Sequence, residues 1–238
     1  MLFNLNAGFF ETLASIFTSK EYMDVIFEGL FNTLLISVGA TVVGLIIGTL
    51  VAIVKIIPSK NPVIRVLNVI CDAYTTIFRG TPMALQLFIM AFVIFEIKGF
   101  PMELTAIIAF GINSGAYVSE SIRAGILSVD IGQTEAGRAL GLSYSKTMTK
   151  IVIPQAVKNV IPAIGNEIIA LIKETSIVSL VGEIIDLTVA SKIIGGPNEL
   201  SNFLVPMTVV AIFYLAIVYL LTFIIKIIER RLRASDKR

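Results

Sequence analysis

Two runs of uncharged, largely apolar residues dominate the chain: Leu30–Val54, 25 residues, and Phe203–Ile225, 23 residues. Each exceeds the roughly 20 residues that a helix needs to cross the hydrocarbon core of a bilayer, so each predicts a membrane-spanning helix. The first span is placed at 25–54, ahead of Lys55 and a loop marked by Pro58, Asn61 and Pro62. The apolar region 63–95 is interrupted by Asp72 and by Arg79-Gly80-Thr81-Pro82, which predicts one long broken crossing. A third span runs from Leu104 to about Gly125. The region 151–194 is punctuated by Pro154, Pro162, Asn166-Glu167, Lys173-Glu174 and Glu183; it predicts a crossing at 157–174 and a shorter helix that dips into the outer face or lies along it. A turn at Gly195-Gly196-Pro197-Asn198 precedes the last span, 203–228. The fold class is an all-α integral membrane protein with five crossings and broken helices, and no internal repeat is visible.

Three segments follow from this pattern: an N-terminal segment 1–24, a membrane domain 25–228 and a basic tail 229–238. In the first, Leu2, Leu5, Phe9, Leu13 and Ile16 recur at helical spacing, which fits a helix lying in the membrane interface; a frayed terminus fits equally. Met1–Ser19 has no basic leading segment and is broken by Asn4, Asn6 and Glu11, unlike a signal peptide.

Composition agrees with a membrane solvent. Hydrophobic residues make up 56% and charged residues 15%, and mean hydropathy is +0.90; soluble domains run at about 45–50% and about 25%. The chain has no histidine, which excludes imidazole metal sites and histidine bases, and its single Cys71 closes no internal disulfide. No G-x-x-x-x-G-K-[ST] segment is present, so no nucleotide is bound by a phosphate-binding loop of this chain. The placement of charge says more than its net value of +2. With five crossings, the segments 55–65, 123–158 and 226–238 share one side and carry 14 of the 19 lysines and arginines, while the other side carries Lys20, Lys98 and Lys192. The excess of positive charge marks the cytoplasm, so the C-terminus is predicted inside and the N-terminus outside.

Three features carry candidate chemistry. The first is the largest cytoplasmic loop, 126–154. Its Glu135–Leu140 favours helix, Gly141 permits a turn with positive φ, and Tyr144–Ile151 resumes a helix; the pattern fits a helix–turn–helix docking surface or an ordinary helical loop. The second is polar residues at bilayer depth, which are costly and usually line a cavity or pair with each other. Arg79, Asn113–Tyr117 (with Ser114) and Asn166-Glu167 lie near the middle of their spans, and Glu120 about a turn deeper toward the cytoplasm. Arg79 suits a substrate carboxylate, or a structural bond to Glu120, Asp72 or the carbonyls of the Gly80–Pro82 break; the structural reading is preferred. For Asn166-Glu167, beside Pro162 and Gly165, substrate contact is preferred. Glu28 reads as an interfacial anchor. The third feature is Ala40, Gly44, Gly48 and Ala52, a small residue at every fourth position, which lets helix backbones touch; a partner span of the same chain is preferred over a second subunit.

The loop resembles a known signature. E-A-A-x-x-x-G-x(9)-I-x-L-P marks the membrane-spanning subunits of bacterial ABC importers, and the chain matches it at Glu135, Ala136, Gly141, Ile151 and Pro154, with Gly137 for the second alanine and Ile153 for the leucine. Arg79-Gly80-Thr81-Pro82, Ala116-Tyr117 with Glu120 and Arg123, and Gly165-Asn166-Glu167 followed by Lys173-Glu174-Thr175-Ser176 resemble the polar amino acid branch, similar to permeases for histidine, glutamine and arginine. The resemblance covers nearly all of the chain from about Gly29. It implies a type I importer permease fold and a coupling loop that sits on a separate ATPase. Glu135, Ala136, Gly137, Gly141, Ile151 and Pro154 are the implied coupling residues.

The implied partners are a cytoplasmic ABC ATPase dimer carrying ATP and Mg, a second permease copy or paralogue, an extracellular or periplasmic amino-acid-binding protein, the amino acid substrate and membrane lipid. No cofactor is implied in this chain and no nucleic acid as partner. The resemblance implies a multi-pass protein of the bacterial cytoplasmic membrane. Candidate substrate residues are Arg79, Asn113, Ser114, Tyr117, Glu120, Asn166 and Glu167, and the two carboxylates at depth lean toward a polar or cationic amino acid. An intramembrane enzyme, suggested by Gly111–Gly115, lacks a histidine partner for Ser114. An ATP-independent channel or secondary transporter is the remaining alternative; secondary carriers commonly show inverted repeats.

Overall fold

The computed structural model describes residues 2–58, 61–197, 199–200 and 202–234. Met1, Lys60, Asn198, Lys237 and Arg238, which enter the expectations above, lie outside the described residues. All described regular structure is helical: α1 Leu2–Thr18, α2 Lys20–Ile56, α3 Pro62–Gly80, α4 Met83–Ile89 extended by a π turn Met90–Ile94, α5 Met102–Leu127, α6 Ile131–Ala139, α7 Tyr144–Thr147 extended by a π turn Met148–Val152, α8 Ile153–Glu174 extended by a 3₁₀ turn Thr175–Leu180, α9 Leu187–Ile194 and α10 Leu204–Ala234.

The first boundary falls earlier than the sequence pattern predicts. Ser19 interrupts the helix and caps α2, its hydroxyl accepting from the Tyr22 N–H at 3.4 Å, so α2 begins at Lys20 and not near 25. At the other end α10 continues through Ala234, so the basic segment from 229 extends the last helix. Among the described residues, Lys20–Ile56 and Leu204–Leu232 are long and apolar enough to cross a membrane by themselves. Pro62–Gly80 and Met83–Ile94 qualify as a pair, bent by 108° at the predicted break.

Two apolar clusters share α2. One gathers Ile36 and Ala40 of α2 with Leu87 of α4, Phe110 of α5, Leu171 of α8 and Ile184. The other gathers Ile26 of α2 with Ile16 of α1, Leu187 and Ile194 of α9, and Val205 and Val209 of α10. The amphipathic α1 therefore packs its Phe9–Leu13–Ile16 face on the bundle. The small residues of α2 face α5 of the same chain: a Cβ on Gly44 would lie 2.8 Å from the Ser114 hydroxyl oxygen.

The turn before α9 is tied to α2 by polar contacts. Asn32 donates to the Ile185 carbonyl at 2.9 Å and the Leu187 N–H donates to the Thr33 hydroxyl at 3.2 Å. Gly29 admits the Asp186 carbonyl, which would lie 2.8 Å from any Cβ there. The buried Asp186 carboxylate caps α9, accepting from the Thr188 and Val189 N–H groups at 3.1 and 2.9 Å and from the Tyr214 hydroxyl at 3.3 Å.

Candidate functional site

The loop between α5 and α8 folds as its sequence dictates. The Asp130 carboxylate caps α6 through the Gly132 N–H at 2.6 Å, and Ser143 caps α7 through the Lys146 N–H at 3.4 Å. Between them Gly141 takes φ +81°. The Leu142 N–H donates to the Gly137 carbonyl at 3.1 Å and the Gly141 N–H to the Arg138 carbonyl at 3.0 Å, the bond pair of a Schellman terminus that favours glycine at this position. Gly137 is buried because Thr147 and Ile151 pack on it; a Cβ there would lie 2.8 Å from the Thr147 methyl. Pro154 is the second residue of α8, directly after the π turn Met148–Val152. Glu135, Ala136 and Gly141 remain exposed, beside a Leu140 that is 82% exposed.

The second candidate region centres on α3, of which only Thr75 is buried. Arg65, Asn68, Asp72, Thr76 and Arg79 form a polar stripe at helical spacing along it, while Val63, Val66, Val69, Ile70 and Ile77 are exposed on its other sides. From Asn68 onward the stripe borders a cavity of about 460 Å³ that Lys55, Glu120 and Arg123 also line. Here Lys55 Nζ lies 2.8 Å from Asp72 Oδ1 and 2.6 Å from Glu120 Oε1, and donates to the Thr75 hydroxyl at 3.2 Å. Arg123 holds the other oxygen of Glu120 through Nη2 at 2.9 Å and Nε at 3.0 Å. The Lys55 and Glu120 side chains are 11% and 17% exposed, so their pair joins α2 and α5 largely away from solvent, while Asp72 on α3 is 65% exposed.

The sequence pattern favours a bond from Arg79 to Glu120, Asp72 or the carbonyls of the break. Lys55 holds both carboxylates instead, and Arg79 lies over the Tyr117 ring, 5.4 Å from its centroid. The break has its own solution. Pro82 has no N–H to give the Phe78 carbonyl four residues earlier, and a carbonyl freed at membrane depth must find another donor. It accepts from the Gln86 amide at 2.9 Å and the Asn113 amide at 3.0 Å, and Asn113 also donates to the Gln86 amide oxygen at 2.8 Å.

The seven substrate candidates thus divide. Arg79, Tyr117 and Glu120 stand together on one side of α3 and α5. Asn113 is buried at the break, and Ser114 is buried against Gly44 with no hydrogen bond of its own among the described residues. On α8, Asn166 is exposed and Glu167 half-buried, its carboxyl directed toward the Ser114 hydroxyl without completing a bond. Sequence reading missed Lys55, which looked like the loop boundary, and Gln86. The only available signal for Gln86 was a lone amide one turn beyond the proline break.

Comparison with known proteins places this architecture. Residues 61–234 match the family described as binding-protein-dependent transport system inner membrane component. The putative glutamine transport system permease protein GlnP of Rickettsia bellii is 45% identical over 212 residues, covering 88% of this chain and 94% of that protein. The arginine transport system permease protein ArtQ of Bacillus subtilis is 42% identical over 213 residues, covering 89% and 94%. A crystal structure of an amino acid ABC transporter with histidines superposes with a TM-score of 0.80 at 34% identity, covering 89% of this chain and 95% of that one. An inward-facing structure of the MetNI methionine ABC transporter, 20% identical with a TM-score of 0.74, shares the fold. The chain belongs to the family of inner-membrane components of binding-protein-dependent transport systems, and its helices take the permease fold of ABC importers.

Proposed function

We propose that the chain is the translocation subunit of an ATP-driven amino acid importer that moves a polar L-amino acid into the cytoplasm by alternating access. The observation that carries this is α3: a helix with a polar stripe from Arg65 to Arg79 beside a cavity, and apolar residues exposed around it, is half of a pathway wall. The missing half is a second permease copy or a paralogue. Relatives named for glutamine and arginine transport support the substrate class.

In this reading α2, the α3–α4 pair, α5, α8 and α10 make the five crossings, and α1 lies along the outer interface. The basic residues of the 126–154 loop and of the end of α10 face the cytoplasm. Glu135, Ala136 and Gly141, with the exposed Leu140, dock on an ABC ATPase dimer that binds ATP and Mg; Gly137, Ile151 and Pro154 keep the docking helix rigid. A binding protein delivers substrate on the outer side. Arg79 over Tyr117 receives the substrate carboxylate, while Glu167 with Asn166 contacts it from α8.

The test is hydrolysis by the assembled permease–ATPase complex. ATP turnover that rises several-fold only when binding protein and its amino acid are both present supports the reading. Turnover indifferent to every amino acid with its binding protein overturns it.

A further inference from the structure

We infer that Lys55 sets the charge of the substrate that this pathway accepts, by holding one oxygen each of Asp72 and Glu120 so that a cationic side chain must compete with it there. The inference rests on the proposal that the cavity beside Arg79 and Glu120 is part of the translocation pathway.

Three cations, Lys55, Arg79 and Arg123, line the cavity against two carboxylates, Asp72 and Glu120. The local balance is one positive charge. Glu120 is fully engaged, one oxygen held at 2.6 Å by the Lys55 ammonium and the other at 2.9 Å by Arg123, whereas Asp72, 65% exposed, gives one oxygen to the same ammonium at 2.8 Å. Arg79 is different. Its guanidinium rests over Tyr117, and no carboxylate lies within ion-pair distance of it among the described residues. A zwitterion therefore meets an unmatched cation for its carboxylate. A lysine or arginine side chain would have to displace Lys55 or Arg123 from Glu120, which is only 17% exposed, where like charges repel more strongly than in water. Counting Glu120 and Glu167 along the sequence leans toward a cationic substrate; the pairing of Glu120 removes one of the two and shifts the preference toward an amino acid with a neutral polar side chain.

Lys55 acts here as a positioning residue, through Asp72 and Glu120, and the readout is a ratio of affinities that a loss of fold would not shift in a chosen direction. The permease–ATPase complex in nanodiscs, without binding protein, is titrated with labelled glutamine and with labelled arginine. The wild type binds glutamine about tenfold or more tighter than arginine. Lys55→Met frees Asp72 and one oxygen of Glu120, Arg123 keeping the other, and moves the ratio toward arginine by about tenfold. Lys55→Arg keeps the charge and the ratio. Glu120→Gln, which raises the local charge, moves the ratio further against arginine and carries the test should Lys55→Met fail to assemble. A wild type that prefers arginine, or a ratio unmoved in Lys55→Met and Glu120→Gln while glutamine still binds, overturns the role of Lys55 and leaves the pathway reading standing. Saturable binding of neither amino acid to the wild type or to any variant overturns the pathway reading, and the inference with it.

Discussion

Gly48 of α2 lies directly against Val118 of α5: a Cβ added there would stand 2.6 Å from a Val118 methyl carbon and 2.9 Å from the Gly115 carbonyl oxygen. The contact involves backbone as well as side chain, so it cannot be relieved by one rotamer change. Gly48→Val should force α2 and α5 apart at a cost of about 1–3 kcal/mol, read as a lowered unfolding temperature in detergent. Gly80→Ala is the control, because nothing lies within 4 Å of that position; its change should stay within about 0.5 kcal/mol. Equal stability of the two variants would contradict the close approach of α2 and α5.

The turn at Gly141 offers a separate test of the docking surface. No atom of the chain lies within 4 Å of a Cβ there, and φ is +81°, so a side chain meets strain of about 1–2 kcal/mol but no collision within the subunit. Gly141→Asp should therefore leave the bundle folded and abolish coupled uptake. Gly141→Asn, whose side chain tolerates this backbone region, should be stable yet still impaired in uptake. Normal ATP-driven uptake by Gly141→Asp would remove the loop from the interface.

Asn113 is assigned to the break of α3 and not to substrate. Asn113→Ala leaves the Phe78 carbonyl with the Gln86 amide alone, and should cost about 1–3 kcal/mol of stability with little change in substrate affinity. Combined with Gln86→Ala the losses should be non-additive, since both amides serve one carbonyl. A change in affinity without a change in stability would return Asn113 to the pathway.

Glu167 remains the acidic candidate outside the Lys55 cluster. Glu167→Ala should change substrate affinity or selectivity in uptake by about tenfold while sparing the α2–α5 contact. An unchanged uptake profile would make it a packing residue beside Ser114.

Much of this was legible in the chain because it is written locally. The uncharged runs gave α2 and α10, Pro82 after Gly80 gave the break, and Gly141 with its flanking helix formers gave the turn of the loop. The start of α2 was read some five residues late: the uncharged run opens downstream, whereas the helix is set by the Ser19 cap. The pairing of the charges was not legible. Lys55 lies 17 residues from Asp72 and 65 from Glu120 in sequence, and one sequence does not say which distant cation meets which carboxylate. The partners of Asn113 were not legible for a related reason. A polar side chain at mid-span reads as functional, yet its partner is a backbone carbonyl stranded by a proline 31 residues earlier.

The most direct measurement is uptake of labelled amino acids into liposomes that hold this chain, with its ATPase and ATP on one face and its binding protein on the other. The account predicts uptake that needs the ATPase and ATP together, and that favours a neutral polar amino acid. Flux through this chain alone, indifferent to ATP, would contradict the account and make the protein a channel or secondary carrier.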